Sequence, residues 1–153
     1  MLNSSDMETI KKTIKEFFEK TTFNVEVSVL PEKEETVPVI VKTDEPQILI
    51  GEGGQTLIEI QHLFKAILRK KITDHFYIDL DINDYKKKKK EYLKELARLT
   101  ADEVFLSKKE KELSPMPAYE RRIVHMELAD RSDVVTESIG DGLERRLIIK
   151  PHP

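Results

Sequence analysis

The sequence predicts an α+β protein of two small domains, residues 1–82 and 83–153, and three observations carry that prediction. The first is periodicity. Stretches with an apolar residue every three or four positions, the spacing of an amphipathic helix, are interleaved with stretches in which every second residue is apolar, the spacing of a half-buried strand. The second is a glycine cluster: three of the five glycines, Gly51, Gly53 and Gly54, fall between the apolar tripeptide Ile48-Leu49-Ile50 and a helix-like segment. The third is charge. Residues 1–82 carry 10 Lys and Arg against 15 Asp and Glu, and residues 83–153 carry 16 against 14, so the formal net charge of −3 hides an acidic first half and a basic second half.

In chain order, Ser5-Asp6-Met7-Glu8 has capping-box spacing, and Met7, Ile10, Ile14, Phe17 and Phe18 continue it as a helix to about Lys20. Phe23, Val25, Val27 and Val29 alternate with polar residues and predict a strand, closed by a polar turn over residues 31–35. Residues 37–41 are β-branched apart from Pro38, which lacks a ladder donor and predicts a strand start or an edge. Asp44-Glu45-Pro46 starts a short helix, with an acidic cap and proline in its first turn. After the glycines, Leu57, Ile60, Leu63, Phe64, Ile67 and Leu68 form the stripe of a helix running to about Lys71, and residues 75–82 alternate as a third strand.

The glycine loop sits where the following helix presents free N–H groups and a partial positive charge, so it suits an anionic ligand. Two phosphate-binding readings fail on spacing. A P-loop needs Gly-Lys-Ser/Thr where Gln55-Thr56 stands, and a dinucleotide fingerprint needs a sixth-position glycine or alanine where Thr56 stands. What fits is the Gly-x-x-Gly loop between two helices of a KH domain, which clamps a backbone of about four nucleotides. The order helix, strand, strand, helix, loop, helix, strand is that of a type II KH domain, with a three-stranded sheet covered by helices on one face. A helix–helix turn with no ligand is the alternative.

The second half begins without a Gly, Ser or Pro linker, with Asn83-Asp84 as a cap, so the two domains are expected to be joined directly. Tyr85 and five lysines, Lys86, Lys87, Lys88, Lys89 and Lys90, open a helix reaching about Leu106. Lysines in a first turn oppose the helix dipole at about 0.3–1 kcal/mol each, and a broken local rule hints at function; a solvated charge run is the other reading. Residues 108–113 predict an irregular or edge strand, residues 118–128 a helix, and residues 134–150 a hairpin around Gly140-Asp141-Gly142. At about 100° per residue, Tyr119, Ile123 and Met126 share one side of the 118–128 helix, while Arg121, Arg122 and His125 share another arc, expected to be exposed. An arginine and a histidine one turn apart can reach the same phosphate.

Composition narrows the classes. A chain of 153 residues without cysteine has no disulfide framework and no thiolate metal site. No apolar run spans a bilayer and the N-terminus lacks a signal-peptide core, which predicts a cytoplasmic protein without direct membrane insertion. His125 has no second histidine or paired carboxylate at ligand spacing, and no nucleophile constellation appears, so no catalytic residue, metal or cofactor is expected.

Ile50-Gly51-x-Gly53-Gly54-Gln55-Thr56-Leu57, then Leu80-Asp81-Ile82 before Tyr85, then Pro117-x-Tyr119-Glu120-Arg121-Arg122-Ile123-Val124-His125 together resemble the Jag (SpoIIIJ-associated, or KhpB) family. Its members join a KH domain to a small α/β domain named for an arginine and a histidine with three residues between them. The resemblance runs from about residue 22 onward. It implies a single-stranded RNA-binding protein, acting as a post-transcriptional regulator or RNA chaperone, with single-stranded DNA as a second candidate ligand and a small separate KH protein as a candidate partner. Gly51, Glu52, Gly53 and Gly54 would clamp RNA; Arg121, Arg122 and His125, with the five lysines, would contact phosphates in the second domain.

Two departures stand out. The N-terminal module of many members has no counterpart here, so roles in membrane-protein biogenesis or division that depend on it are not expected to transfer. The loop's variable pair, often basic, is Glu52-Gly53, and a carboxylate near a phosphate costs about 1 kcal/mol in a water-like dielectric. Glu52 and the acidic first half favour the alternative of a protein-interaction scaffold whose KH domain has lost RNA binding.

Overall fold

The computed structural model describes all residues, 1–153. The chain divides into two compact units, Met1–Lys86 and Lys87–Pro153, each with its own core.

The first unit opens with α1 (Ser4–Glu19), which starts two residues ahead of the expected capping box. Asn3 is the cap: its side chain accepts the Asp6 N–H at 2.8 Å, and the Asp6 carboxylate accepts the Asn3 N–H at 3.2 Å. Asparagine caps at least as well as serine, and the earlier start adds hydrogen-bonded residues at no cost in packing. Strands β1 (Val25–Val29), β2 (Thr36–Thr43) and β3 (Tyr77–Ile82) lie in that order, antiparallel and then parallel. The connection from β2 to β3 carries α2 (Pro46–Ile50), a 3₁₀ turn at Glu52–Gly54 and α3 (Gln55–Leu68). This is the element order expected of the type II KH arrangement.

Strand β2 is central, and its alternation puts Val37, Val39 and Val41 in the core with Ile10, Ile14 and Phe18 of α1 and Leu57, Phe64 and Leu68 of α3. Phe17, Phe18 and Phe64 meet edge to face at 5.0–5.8 Å between centroids. Pro38 stands at neither a strand start nor an edge. The central strand accepts it because the Leu30 N–H donates to the Pro38 carbonyl at 2.9 Å, one residue past the end of β1. The donor that proline lacks would have faced that frayed end, where a missing ladder bond costs little. Leu63 is exposed rather than in the stripe. With Leu57, Phe64 and Leu68 setting the buried face, a residue at position 63 lies about 120° away from it.

Helix α4 (Tyr85–Ser107) starts in the first unit, and its start differs from expectation. Asn83 does not cap it; the amide of Asn83 pairs with both backbone groups of Thr43, at 2.9 and 2.8 Å, and so extends the sheet. Asn83 and Asp84 both take positive φ, 50° and 57°, a conformation these residue types tolerate. The turn they make brings the Asp81 carboxylate to the Lys86 N–H at 3.1 Å, so Asp81 is the acid that compensates the lysine-rich first turn.

In the second unit, β4 (Lys111–Glu112), α5 (Ala118–Leu128), β5 (Val134–Ile139) and β6 (Arg146–Pro151) follow α4. The sheet order is β4-β6-β5, antiparallel throughout, with the short β4 at an edge as expected. Leu93, Ala97, Ala101 and Val104 of α4, Val124 and Leu128 of α5, and Leu147 and Ile149 of β6 form the core. Ile148 faces the other side of the sheet yet is buried. The residues opposite it, Glu112 and Glu137, pair with its strand neighbours Arg146 and Lys150, each at 2.8 Å. No helix is long and apolar enough to cross a membrane.

Candidate nucleic-acid interface

The three loop glycines do different things. Gly51 takes φ 73°, ψ −179°, and a Cβ there would strike the Thr56 side chain. Gly54 takes φ 81°, and a Cβ would lie 3.0 Å from the Tyr85 ring, so its missing side chain makes room for Tyr85 at the start of α4. Only Gly53, at φ 60°, faces open space. The close approach that the glycines suggest in the sequence is therefore internal at Gly51 and Gly54 and external at Gly53 alone. Glu52 is exposed beside it, and no side chain caps the N-terminus of α3. A ligand backbone passing Gly53 meets the uncapped helix end and the Glu52 carboxylate together.

In the second unit, Arg121 and His125 lie one turn apart on α5 and both reach β5. The Arg121 guanidinium donates to Ser138 Oγ at 2.7 Å and to the Met116 carbonyl at 3.2 Å, and His125 Nδ1 lies 2.5 Å from Thr136 Oγ1. Thr136 and Ser138 alternate onto the helix-facing side of the edge strand, so the pair forms two rungs between helix and strand. Arg121 is consequently half-buried, not fully exposed as expected. His125 is exposed, with Nδ1 held by Thr136 and Nε2 on the outer side of the ring.

Arg122 leaves this pair. Together with Lys90 and Lys94 of α4 it lines a groove of about 340 Å³ whose wall includes Tyr119 and Met126. Tyr119 and Met126, grouped with the apolar side in the sequence, are 51% and 60% exposed. The buried face of α5 is instead Glu120, Val124 and Leu128. Val124 and Leu128 pack into the core and leave Tyr119 facing outward, and the Glu120 carboxylate buried with them lies 3.9 Å from the Lys89 ammonium.

The lysine run is thereby divided. Lys86 pairs with Asp79 and contacts Gln61 in the first unit, and Lys89 serves Glu120. Lys87 and Lys88 are exposed, and Lys90 enters the groove. Lys94, which the lysine run does not include, belongs to the same face as Lys90 because it stands four residues on. That spacing was the signal available in the sequence. The groove's carboxylate, Glu127, is paired with Arg98 at 2.6 Å, which offsets its repulsion of an anion.

Comparison with known proteins follows the division of the chain. The sequence model of the KH domain matches residues 6–91, more than half of the chain. The chain belongs to the KH domain family. Residues 91–151 match the Arg-three-His domain, so this KH protein has the KhpB-like order of KH followed by Arg-three-His. It is similar to the RNA-binding protein KhpB of Clostridium symbiosum, 36% identical over 137 residues, 89% of this chain and 62% of that one. It is also similar to proteins of that name from Bacillus subtilis, 34% identical over 77% of this chain and 58% of the relative, and Lactiplantibacillus plantarum, 35% over 70% and 33%. This KH protein thus spans less than two thirds of the length of these curated relatives.

Proposed function

We propose that the chain binds single-stranded RNA, with Gly53 as the open point of the KH loop and the second unit supplying most of the electrostatic attraction. The observation that carries this reading is the concentration of Lys90, Lys94 and Arg122 around one open groove in a chain of net charge −3. Cations gathered where the overall charge opposes them mark a place for a polyanion. The relatives named RNA-binding protein KhpB support RNA over other polyanions. Arg121 and His125 add the outer edges of a guanidinium and an imidazole beside the strand, within reach of a phosphate. The same reading places the protein in the cytoplasm as a post-transcriptional regulator or RNA chaperone. Single-stranded DNA is a further ligand to compare, and a small separate KH protein is the partner that this reading names.

The test is binding of a fluorescent single-stranded RNA of about ten nucleotides across a salt series. Log affinity is expected to fall with log salt by about 0.7 for each phosphate contact. Lys94→Ala with Arg122→Ala should weaken binding about tenfold and flatten the slope by about 1.4. Glu52→Arg should tighten binding by about 1–2 kcal/mol at low salt, because it exchanges repulsion for attraction beside Gly53. A salt-independent affinity would reject phosphate binding. The second reading, a protein-interaction scaffold, rests on the exposed Glu52 carboxylate and gains if RNA affinity is absent while a small KH protein still binds.

A further inference from the structure

The groove between α4 and α5 holds more than cations. Lys90 and Lys94 stand on the α4 side and Arg122 on α5, and between them the Tyr119 ring is half exposed with the Met126 thioether beside it and Ile123 beneath. A surface meant only to attract phosphates has no use for an exposed ring and thioether, which cost free energy when left in water. A surface meant only for an apolar partner would not be ringed by three cations. A single-stranded nucleic acid presents both features at once, a flat base with a π face and phosphates on either side of it.

We propose that this groove is a base-stacking subsite, in which one unpaired base of an RNA strand lies on Tyr119 while Lys90, Lys94 and Arg122 hold the flanking phosphates. The proposal rests on the RNA-binding reading and adds a site distinct from the Arg121–His125 pair. Three details of the geometry suit the role. The Tyr119 hydroxyl makes a long contact, 3.4 Å, to the buried Glu120 carboxylate, so the ring and not its hydroxyl carries the stacking. Met126 supplies a soft apolar edge that adapts to purines and pyrimidines alike. Glu127 is paired with Arg98, which it shares with Glu95, so the groove presents three cations against one carboxylate that already has a partner. The volume of about 340 Å³ is at the lower end for small-molecule sites, which suits one base rather than a folded partner. Because stacking is open to any base, the subsite selects single strands over duplexes without strong sequence preference.

The chain contains no tryptophan, so Tyr119→Trp places a sole reporter in the groove. Titrating this variant with a single-stranded RNA of about ten nucleotides is expected to quench its fluorescence at the concentrations where labelled RNA binds, with affinity close to the parent. The same strand in a duplex, and a strand of abasic nucleotides, should leave the fluorescence unchanged. Tyr119→Ala should weaken binding about five- to hundredfold without altering the salt slope, and Tyr119→Phe should bind within about twofold of the parent. If RNA binds and the tryptophan emission stays constant, the subsite is wrong while the RNA-binding reading survives. Equal quenching by the abasic strand would reduce the groove to a phosphate contact and overturn stacking. Absence of any RNA binding would overturn both, and quenching by an acidic peptide but not by RNA would give the groove to a protein partner.

Discussion

At Gly51 the backbone takes φ 73° with ψ near 180°, a region essentially reserved for glycine, and the missing Cβ leaves room for Thr56. Gly54 combines φ 81° with contact to the Tyr85 ring, whereas Gly53 has φ 60° and an empty surround. The three substitutions to alanine should therefore differ in cost. Gly51→Ala and Gly54→Ala are expected to destabilise the first unit by about 2–3 kcal/mol and Gly53→Ala by about 1 kcal/mol, read from urea midpoints. Equal effects at all three positions would mean that the loop relaxes freely. The lysines divide in the same way. Lys89→Ala leaves the buried Glu120 carboxylate without its cation and should cost about 1–3 kcal/mol, while Lys87→Ala, on an exposed side chain, should stay within about 0.5 kcal/mol.

Helix α5 and strand β5 show how an element acquires its faces. The Arg121–Ser138 and His125–Thr136 contacts set the α5 edge against the strand, and Glu120, Val124 and Leu128 turn inward. Arg131 continues the seam: it binds Asp133 at 2.6 and 2.9 Å and Asp102 of α4 at 2.7 Å. Its guanidinium holds the Asp133 carboxyl below the usual range, and Lys150 does the same for Glu137. A carboxyl with a depressed pKa in the folded state adds stability above its unfolded pKa, about 3.9 for Asp and 4.3 for Glu, and loses it as pH falls through the folded value. The thermal midpoint of the second unit should thus drop as pH falls below about 4, and Asp133→Asn with Glu137→Gln should remove part of that drop. An unchanged acid profile in the double variant would place the proton uptake on other carboxylates.

For the molecule as a whole, the distribution of charge outweighs its sum. A net charge of −3 predicts weak repulsion of a polyanion at long range, but beyond about 10 Å at 0.1 M salt such repulsion is largely screened. What remains is the local field of Lys90, Lys94 and Arg122. RNA affinity is therefore expected to fall steeply as salt rises from about 0.05 to 0.2 M, despite the acidic total. A rise in affinity over that range, as repelled partners would show when salt screens them, would indicate that the net charge governs binding.

The α+β class, the KH element order, the hairpin and the positions of the glycine loop and of the Arg121–His125 pair were all legible in the sequence. They depend on periodicities of about 3.6 and 2 and on turn residues, which are local properties of the chain. Tertiary structure decided what each side chain does at its position. Pro38 sits in a central strand because β1 ends where its missing donor points, which no reading of β2 alone reveals. Asn83 pairs with Thr43, 40 residues away, and leaves Asp81 to hold the start of α4. Tyr119 and Lys94 face one groove because Val124 and Leu128 of α5 pack into the core, with Glu120 buried beside them near Lys89. A helix wheel gives the angles between side chains, but which angle faces inward is fixed by what packs against it, and for α5 that is the core of α4 and β6 meeting Val124 and Leu128.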